Sequence, residues 1–98
     1  MTINKERNNE TLTLVIEGRL DTVTAPELEK VVNEETADIK ELLLDMNALE
    51  YISSAGLRVL LAAQKKMNKQ GSMKLKGVCD AVMEVFEMTG FADILAIE

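Results

Sequence analysis

The 98-residue chain has no histidine and no tryptophan, and only one cysteine, one proline, one tyrosine and two phenylalanines. Without histidine, the commonest general acid–base side chain is missing, and so are the imidazole ligands of most zinc sites. Cys79 has no second cysteine to pair with, which suits a reducing compartment. No apolar run approaches the ~18 residues that a membrane helix needs. The segment Met1-Thr2-Ile3-Asn4-Lys5-Glu6-Arg7 lacks the apolar core of a signal peptide. These absences together predict a cytoplasmic protein without membrane insertion. No glycine-rich phosphate loop is present, since Gly71 and Gly77 stand alone. There is also no internal repeat, low-complexity tract or linker.

What is present is apolar and acidic. A hydrophobic content of 47% suits one compact domain over residues 1–98. Two domains of half that length would each be too small to bury a useful core. The net charge of −6 is unevenly spread. Residues 1–50 carry 12 acidic and 5 basic side chains, a net of −7, and residues 51–98 carry 5 and 6, a net of +1. The first half repels phosphate backbones, which argues against nucleic acid as a partner. A basic or neutral protein surface is easier for it to meet.

The stretch Tyr51-Ile52-Ser53-Ser54-Ala55-Gly56-Leu57-Arg58-Val59-Leu60-Leu61 organises the chain. An acidic, irregular segment is expected before it, over residues 45–50. After it, Leu57, Leu60, Leu61 and Met67 recur at helical spacing, predicting a helix over about 54–69. The two serines therefore fall where a loop becomes a helix. Serine is a preferred N-cap, because its hydroxyl can accept a first-turn N–H. The same helix end tolerates an anion, so a hydroxyl there can be a cap, a phosphate acceptor or both.

Elsewhere the pattern alternates between strands and helices. Residues 2–7 predict an edge strand, and Asn8-Asn9-Glu10 a turn. Thr11 to Glu17 alternates, with Leu12, Leu14 and Ile16 on one side, and Gly18 is expected to end that strand. A helix over about 25–36 follows. Thr24 and Glu27 fit a capping box, Val23 and Leu28 fit a hydrophobic staple, and Pro26 fits the first turn. Leu42-Leu43-Leu44 predicts a short strand covered on both faces. Met73 and Leu75 alternate with Lys74 and Lys76 in a fourth strand. Asp80 can cap a short helix with Val82, Val85 and Phe86, ended by Gly90. Ile94, Leu95 and Ile97 suggest a last short strand. The order β-β-α-β-α-β-α-β predicts an α/β domain, with a mixed sheet that opens as a hairpin and continues by parallel crossovers.

The residues give little support for catalysis. Ser54 has no obvious activating partner, and Ser-Ser-Ala-Gly is not a nucleophile elbow. Asp21, Asp45 and Glu50 are loop carboxylates without the spacing of a calcium loop, so no metal site is expected. Cys79 reads as a small hydrophobe near a helix start. The six methionines fall mostly at core-like positions. No cofactor is implied. Taken without a family likeness, Ser53 and Ser54 read simply as a helix cap.

A family likeness changes the weight of that last reading. Leu42-Leu43-Leu44-Asp45 followed by Tyr51-Ile52-Ser53-Ser54-Ala55-Gly56-Leu57 resembles the STAS-domain family of anti-sigma factor antagonists. Gly18-Arg19-Leu20-Asp21 followed by Pro26-Glu27-Leu28 matches a second landmark of that family. The resemblance implies the STAS fold over nearly the whole chain and a non-enzymatic role. It implies that the second residue before the glycine, here Ser54, is phosphorylated by an anti-sigma factor that is also a serine kinase. Binding to that partner would release a sigma factor, and phosphorylation would switch binding off. A manganese-dependent phosphatase would reverse the modification. Many members carry Asp just before the phosphorylated serine; this chain carries Ser53, which leaves an adjacent alternative site. The resemblance points to Asp21, Thr22, Ser53, Ser54, Gly56, Leu57 and Arg58 as the partner-binding set, on a protein that is monomeric when free. The alternative is a STAS-type subunit of another assembly, such as a stressosome-like or transporter-associated complex.

Overall fold

The computed structural model describes residues 1–98. Strand β1 (Thr2–Asn8) turns at Asn9-Glu10 into β2 (Thr11–Leu20), then α1 (Ala25–Glu35), β3 (Glu41–Ile52), α2 (Ser54–Gln70), β4 (Ser72–Lys76) and α3 (Asp80–Thr89). A single 3-10 turn, Phe91–Asp93, follows α3. Asn9 takes the left-handed backbone (φ 57°) that Asn tolerates, so the hairpin closes in two residues. The sheet order is β1-β2-β3-β4; β1 pairs antiparallel with β2, and β2–β3 and β3–β4 are parallel. This is the mixed sheet with parallel crossovers that the element order predicts. Successive crossovers of one hand toward neighbouring strands put α1 and α2 on the same face, where they pack on each other.

The core follows the strand period of two. Leu12, Leu14 and Ile16 on β2, Leu42, Leu44 and Met46 on β3, and Met73 and Leu75 on β4 are all buried. Leu28 and Val32 of α1, Leu57, Leu60, Ala63 and Met67 of α2, and Val82 and Phe86 of α3 belong to the same cluster of 23 buried residues. A fully buried Leu or Phe stabilises by roughly 1.5–3 kcal/mol before chain entropy is charged against it. Two exposed ion pairs, Lys5–Glu35 (3.0 Å) and Arg7–Asp38 (2.9 Å), tie edge strand β1 to the end of α1 and the segment after it.

Several local expectations give way to tertiary contacts. The 45–50 segment is not irregular: β3 runs unbroken to Ile52. It accommodates two extra residues opposite β2, between Asp45 and Ala48 and between Leu49 and Tyr51. Asp45 Oδ1 accepts the Asn47 amide N–H (3.1 Å) and the Asn47 side-chain N–H (2.8 Å) at the first irregularity. The extra residues change the inward spacing from two to three, so Leu49 and Ile52 return to the core after Met46. Gly18 does not end β2; it sits at φ +100° beside the second irregularity, and the strand continues to Leu20. Leu43 is only half-buried, so β3 is not equally covered on both faces.

The capping box and staple are absent. Thr24 makes no cap bond with its side chain, and Val23 is 85% exposed while Leu28 is fully buried. The N-cap of α3 is Cys79, with Asp80 as its first residue, and Gly90 (φ +81°) ends it as expected. The last strand shrinks to one parallel bridge, Leu75–Ile97, because Phe91–Asp93 coil into a 3-10 turn and only Ala96 to Glu98 reach β4.

Candidate functional site

Parallel pairing of β2 and β3 brings their C-terminal ends to one rim. The Ser53 amide donates to the Leu20 carbonyl at 2.9 Å, which locks the β2–α1 loop beside the start of α2. Asp21-Thr22 and Ser53-Ser54 therefore emerge side by side. Sequence alone could not decide this, because it depends on strand direction.

Asp21 builds its loop from within. Its Oδ1 accepts the amide N–H groups of Val23 (3.0 Å) and Thr24 (3.1 Å) and the Thr24 hydroxyl (3.2 Å). The Asp21 amide in turn donates to Thr24 Oγ1 at 2.9 Å, and that hydroxyl also lies 2.8 Å from the Arg19 carbonyl. Donation from the Thr24 amide above all holds the Asp21 carboxyl below its ordinary value, with the Thr24 hydroxyl, the Val23 amide and the Arg19 charge adding to it. Asp21 is thus committed to shaping the loop. Its shape pushes Thr22 and Val23 outward, both exposed.

The helix start is built by a close approach. Gly56, on the first turn of α2, faces Leu20 and Ile52; a Cβ there would lie 2.6 Å from Leu20 Cγ and 2.9 Å from Ile52 Cγ1. No side chain fits, and the first turn rests directly on the strand ends. The glycine two residues after Ser54 therefore sets how far that serine stands from the sheet.

The two serines differ. Ser53 is the N-cap, with extended backbone (φ −104°, ψ 176°), and its carbonyl accepts the Leu57 amide at 3.0 Å. Its hydroxyl makes no cap bond and is buried without a partner. Ser54 is exposed as the first helical residue, where backbone N–H groups lack intrahelical acceptors. Arg58, one turn on, is exposed as well. A cleft between α1 and α2 is lined by Thr22, Ala25 and Glu29 on one side and Ala55, Arg58 and Val59 on the other.

Two of the expected surface residues lie beneath this rim. Leu57 is only 6% exposed and belongs to the core cluster, and Gly56 is buried against Leu20. The physical reason for Leu57 is helical phase: residues 57, 60 and 67 share the face that packs on the sheet, while 54 and 58 share the outer one. Three exposed residues at the rim escape notice in the sequence. Val23 reads there as a staple. Arg19 falls after the expected end of its strand and Tyr51 in the expected loop before α2, yet the pairing of β2 with β3 stacks the guanidinium 4.2 Å from the ring centroid. A β-strand pairing of Gly18-Arg19-Leu20 with Tyr51-Ile52 would be needed to anticipate that contact.

Chemically, the rim offers one accessible hydroxyl at a helix start, an apolar Val23, and a cation at Arg58. No base activates Ser54 within the chain. The arrangement suits presentation of Ser54 to another protein.

The chain belongs to the STAS-domain family of anti-sigma factor antagonists; the STAS domain model matches residues 2–98. It is 32% identical over 98 residues to an anti-sigma-B factor antagonist of Listeria monocytogenes, covering 96% of this chain and 84% of that protein. It resembles the crystal structure of an anti-sigma factor antagonist from Mycobacterium paratuberculosis with a TM-score of 0.88 and 27% identity, covering 98% of this chain and 83% of that one. It shares its fold, with a TM-score of 0.77 at 15% identity over 99% of this chain and 91% of that one, with the Bacillus cell fate determinant SpoIIAA, solved in its phosphorylated form. No helix in the chain is long and apolar enough to cross a membrane.

Proposed function

We propose that the chain is an anti-sigma factor antagonist whose hold on its partner is switched by phosphorylation of Ser54. In this reading the unmodified protein, a free monomer in the cytoplasm, binds an anti-sigma factor that is also a serine kinase, and a sigma factor is released. The kinase transfers the γ-phosphoryl group of ATP to the Ser54 hydroxyl, with loss of the hydroxyl proton and departure of ADP. A manganese-dependent serine phosphatase restores the hydroxyl. The protein itself catalyses nothing; it is a substrate and a ligand.

The observation that carries this reading is the contrast at the serine pair. Ser54 is exposed at the start of α2, one turn before the exposed Arg58, while the Ser53 hydroxyl is buried. A kinase cleft can reach the first without unfolding anything. Asp21 supports the surface from below, Thr22, Val23, Ser54 and Arg58 form it, and Gly56 and Leu57 hold it in place. The anti-sigma-B factor antagonist at 32% identity favours this reading over a subunit of a stressosome-like or transporter-associated assembly.

The test is capture from native lysate, identification of the bound kinase by mass spectrometry, and incubation with it and ATP. One phosphate on Ser54 is expected. Phosphate on Ser53 alone, or a Ser54→Ala protein labelled as fast as the unaltered one, refutes the assignment.

A further inference from the structure

The chain holds three arginines, and two of them have carboxylate partners: Arg7 with Asp38 at 2.9 Å and Arg19 with Asp21 at 3.9 Å. Arg58 has none within ion-pairing distance, although it lies in a protein of net charge −6. It stands four residues after Ser54 on the same helix, and both side chains are exposed. Residues four apart on a helix are neighbours on its surface, and the pairing is most favourable with the anion on the N-terminal side. A phosphate on Ser54 would occupy that N-terminal position. Arginine presents a planar fork of donors matched to phosphate oxygens, which lysine does not.

We propose that Arg58 clamps the phosphate of phospho-Ser54 within the chain, so that modification both adds negative charge to the docking surface and withdraws its free cation. This rests on Ser54 being the modified residue. The consequence for the switch is twofold. The partner meets a phosphate where it met a hydroxyl, and it loses a guanidinium that was available to its own acceptors. The phosphate is also held down on α2 instead of sweeping the solvent. The other charged groups around this rim are Glu29, which lines the same cleft from α1, Asp21 in the neighbouring loop, and Arg19, 3.9 Å from Asp21. Glu29 competes for Arg58 as a monoanion; the phosphate, with about −1.5 to −2 charges, competes better.

The experiment places phosphoserine at residue 54 by genetic encoding, so that no kinase is needed. The phosphate is then titrated by phosphorus NMR through its second ionisation, near pH ~6. A helix ion pair of ordinary strength lowers that midpoint by roughly 0.2–0.4 units in the unaltered protein relative to Arg58→Gln. Arg58→Gln leaves the helix N-terminus intact, so its contribution cancels in the comparison. Arg58→Lys keeps part of the shift, and molar salt removes it. Circular dichroism confirms that each variant is folded, as expected for an exposed position. Coincident titrations for the unaltered protein and Arg58→Gln overturn the clamp. Failure of the parent reading would look different: the encoded phosphoserine would still show the shift, while the captured kinase would leave Ser54 unlabelled.

Discussion

Gly56 and Leu20 are in such close contact that a Cβ on the glycine would come within 2.6 Å of Leu20 Cγ. Leu20 is fully buried and Ile52, 2.9 Å from the same point, is 3% exposed, so neither can swing aside cheaply. This contact sets the height of the α2 start, and with it the presentation of Ser54.

Gly56→Ala tests that contact. Alanine in a helix gains up to about 1 kcal/mol over glycine, whereas overpacking a filled core costs about 1–3 kcal/mol. The clash wins, and a net loss of about 1–2 kcal/mol is expected from urea denaturation. An unchanged or higher midpoint would mean that the helix start has slack, contrary to this packing.

Leu57 and Val23 should behave oppositely. Leu57→Ala removes a buried side chain and should cost about 2–4 kcal/mol of stability. Val23→Asp alters an exposed residue on a loop that Asp21 shapes, and should leave the melting temperature nearly unchanged while weakening partner binding. Exposed apolar groups at an interface centre often carry more of the energy than rim charges. Melting curves paired with calorimetric affinities check both. A Val23→Asp protein that binds as the unaltered chain does removes the loop from the docking surface.

Acid should weaken the fold in a defined window. The Asp21 carboxyl is held below its ordinary value in the folded chain, first by the Thr24 amide. Asp45 is held low by the Asn47 amide, and Asp38 by the Arg7 guanidinium. On acidification the unfolded chain therefore takes up these protons first. The stability these groups contribute is present above the unfolded value of about 3.9 and is lost as pH falls through their lower folded values. Urea midpoints should decline across that range, and Asp21→Asn should make the decline shallower. Equal slopes for the two proteins would show that the loop hydrogen bonds do not favour the charged form.

Phosphate on Ser54 should act locally. At the start of α2 its charge meets the positive end of the helix, an interaction worth about 0.3–1 kcal/mol at exposed sites, so the fold does not suffer. Against a kinase that carries its own nucleotide phosphates, the same charge costs several kcal/mol. A penalty of about 2.8 kcal/mol already weakens binding roughly 100-fold. Ser54→Ala should bind persistently and Ser54→Asp poorly. Amide shifts between phosphoforms should cluster around residues 21–24 and 53–58. Shifts spread across all four strands, or equal affinities of the two phosphoforms, would exclude a local switch.

Much of this molecule follows from local patterns. Leu12-x-Leu14-x-Ile16 can only be a strand with one buried face, and the 57-60-67 spacing can only bury one side of a helix. Both hold because side-chain direction along a single element is set by backbone geometry. The Ser-x-Gly spacing by itself reads only as a helix cap, and Ser54 is singled out as a candidate site by the family likeness. The remainder needed the partner strand. Residues 45–50 carry polar groups that suit a loop, yet hydrogen bonding to β2 keeps them in a strand and absorbs two extra residues as irregularities. Thr24 has the identity of a capping residue, but its hydroxyl is taken by the Asp21 amide and the Arg19 carbonyl. The last apolar run is short, and only Ala96 to Glu98 reach β4 in a single bridge, while Phe91–Asp93 coil into a 3-10 turn. Above all, the parallel pairing of β2 with β3 decides that Asp21 and Ser54 share a rim. Amino-acid identity specifies what each residue can do; which hydroxyl is buried, which valine is exposed and which arginine is left unpaired depends on distances between segments far apart in the chain.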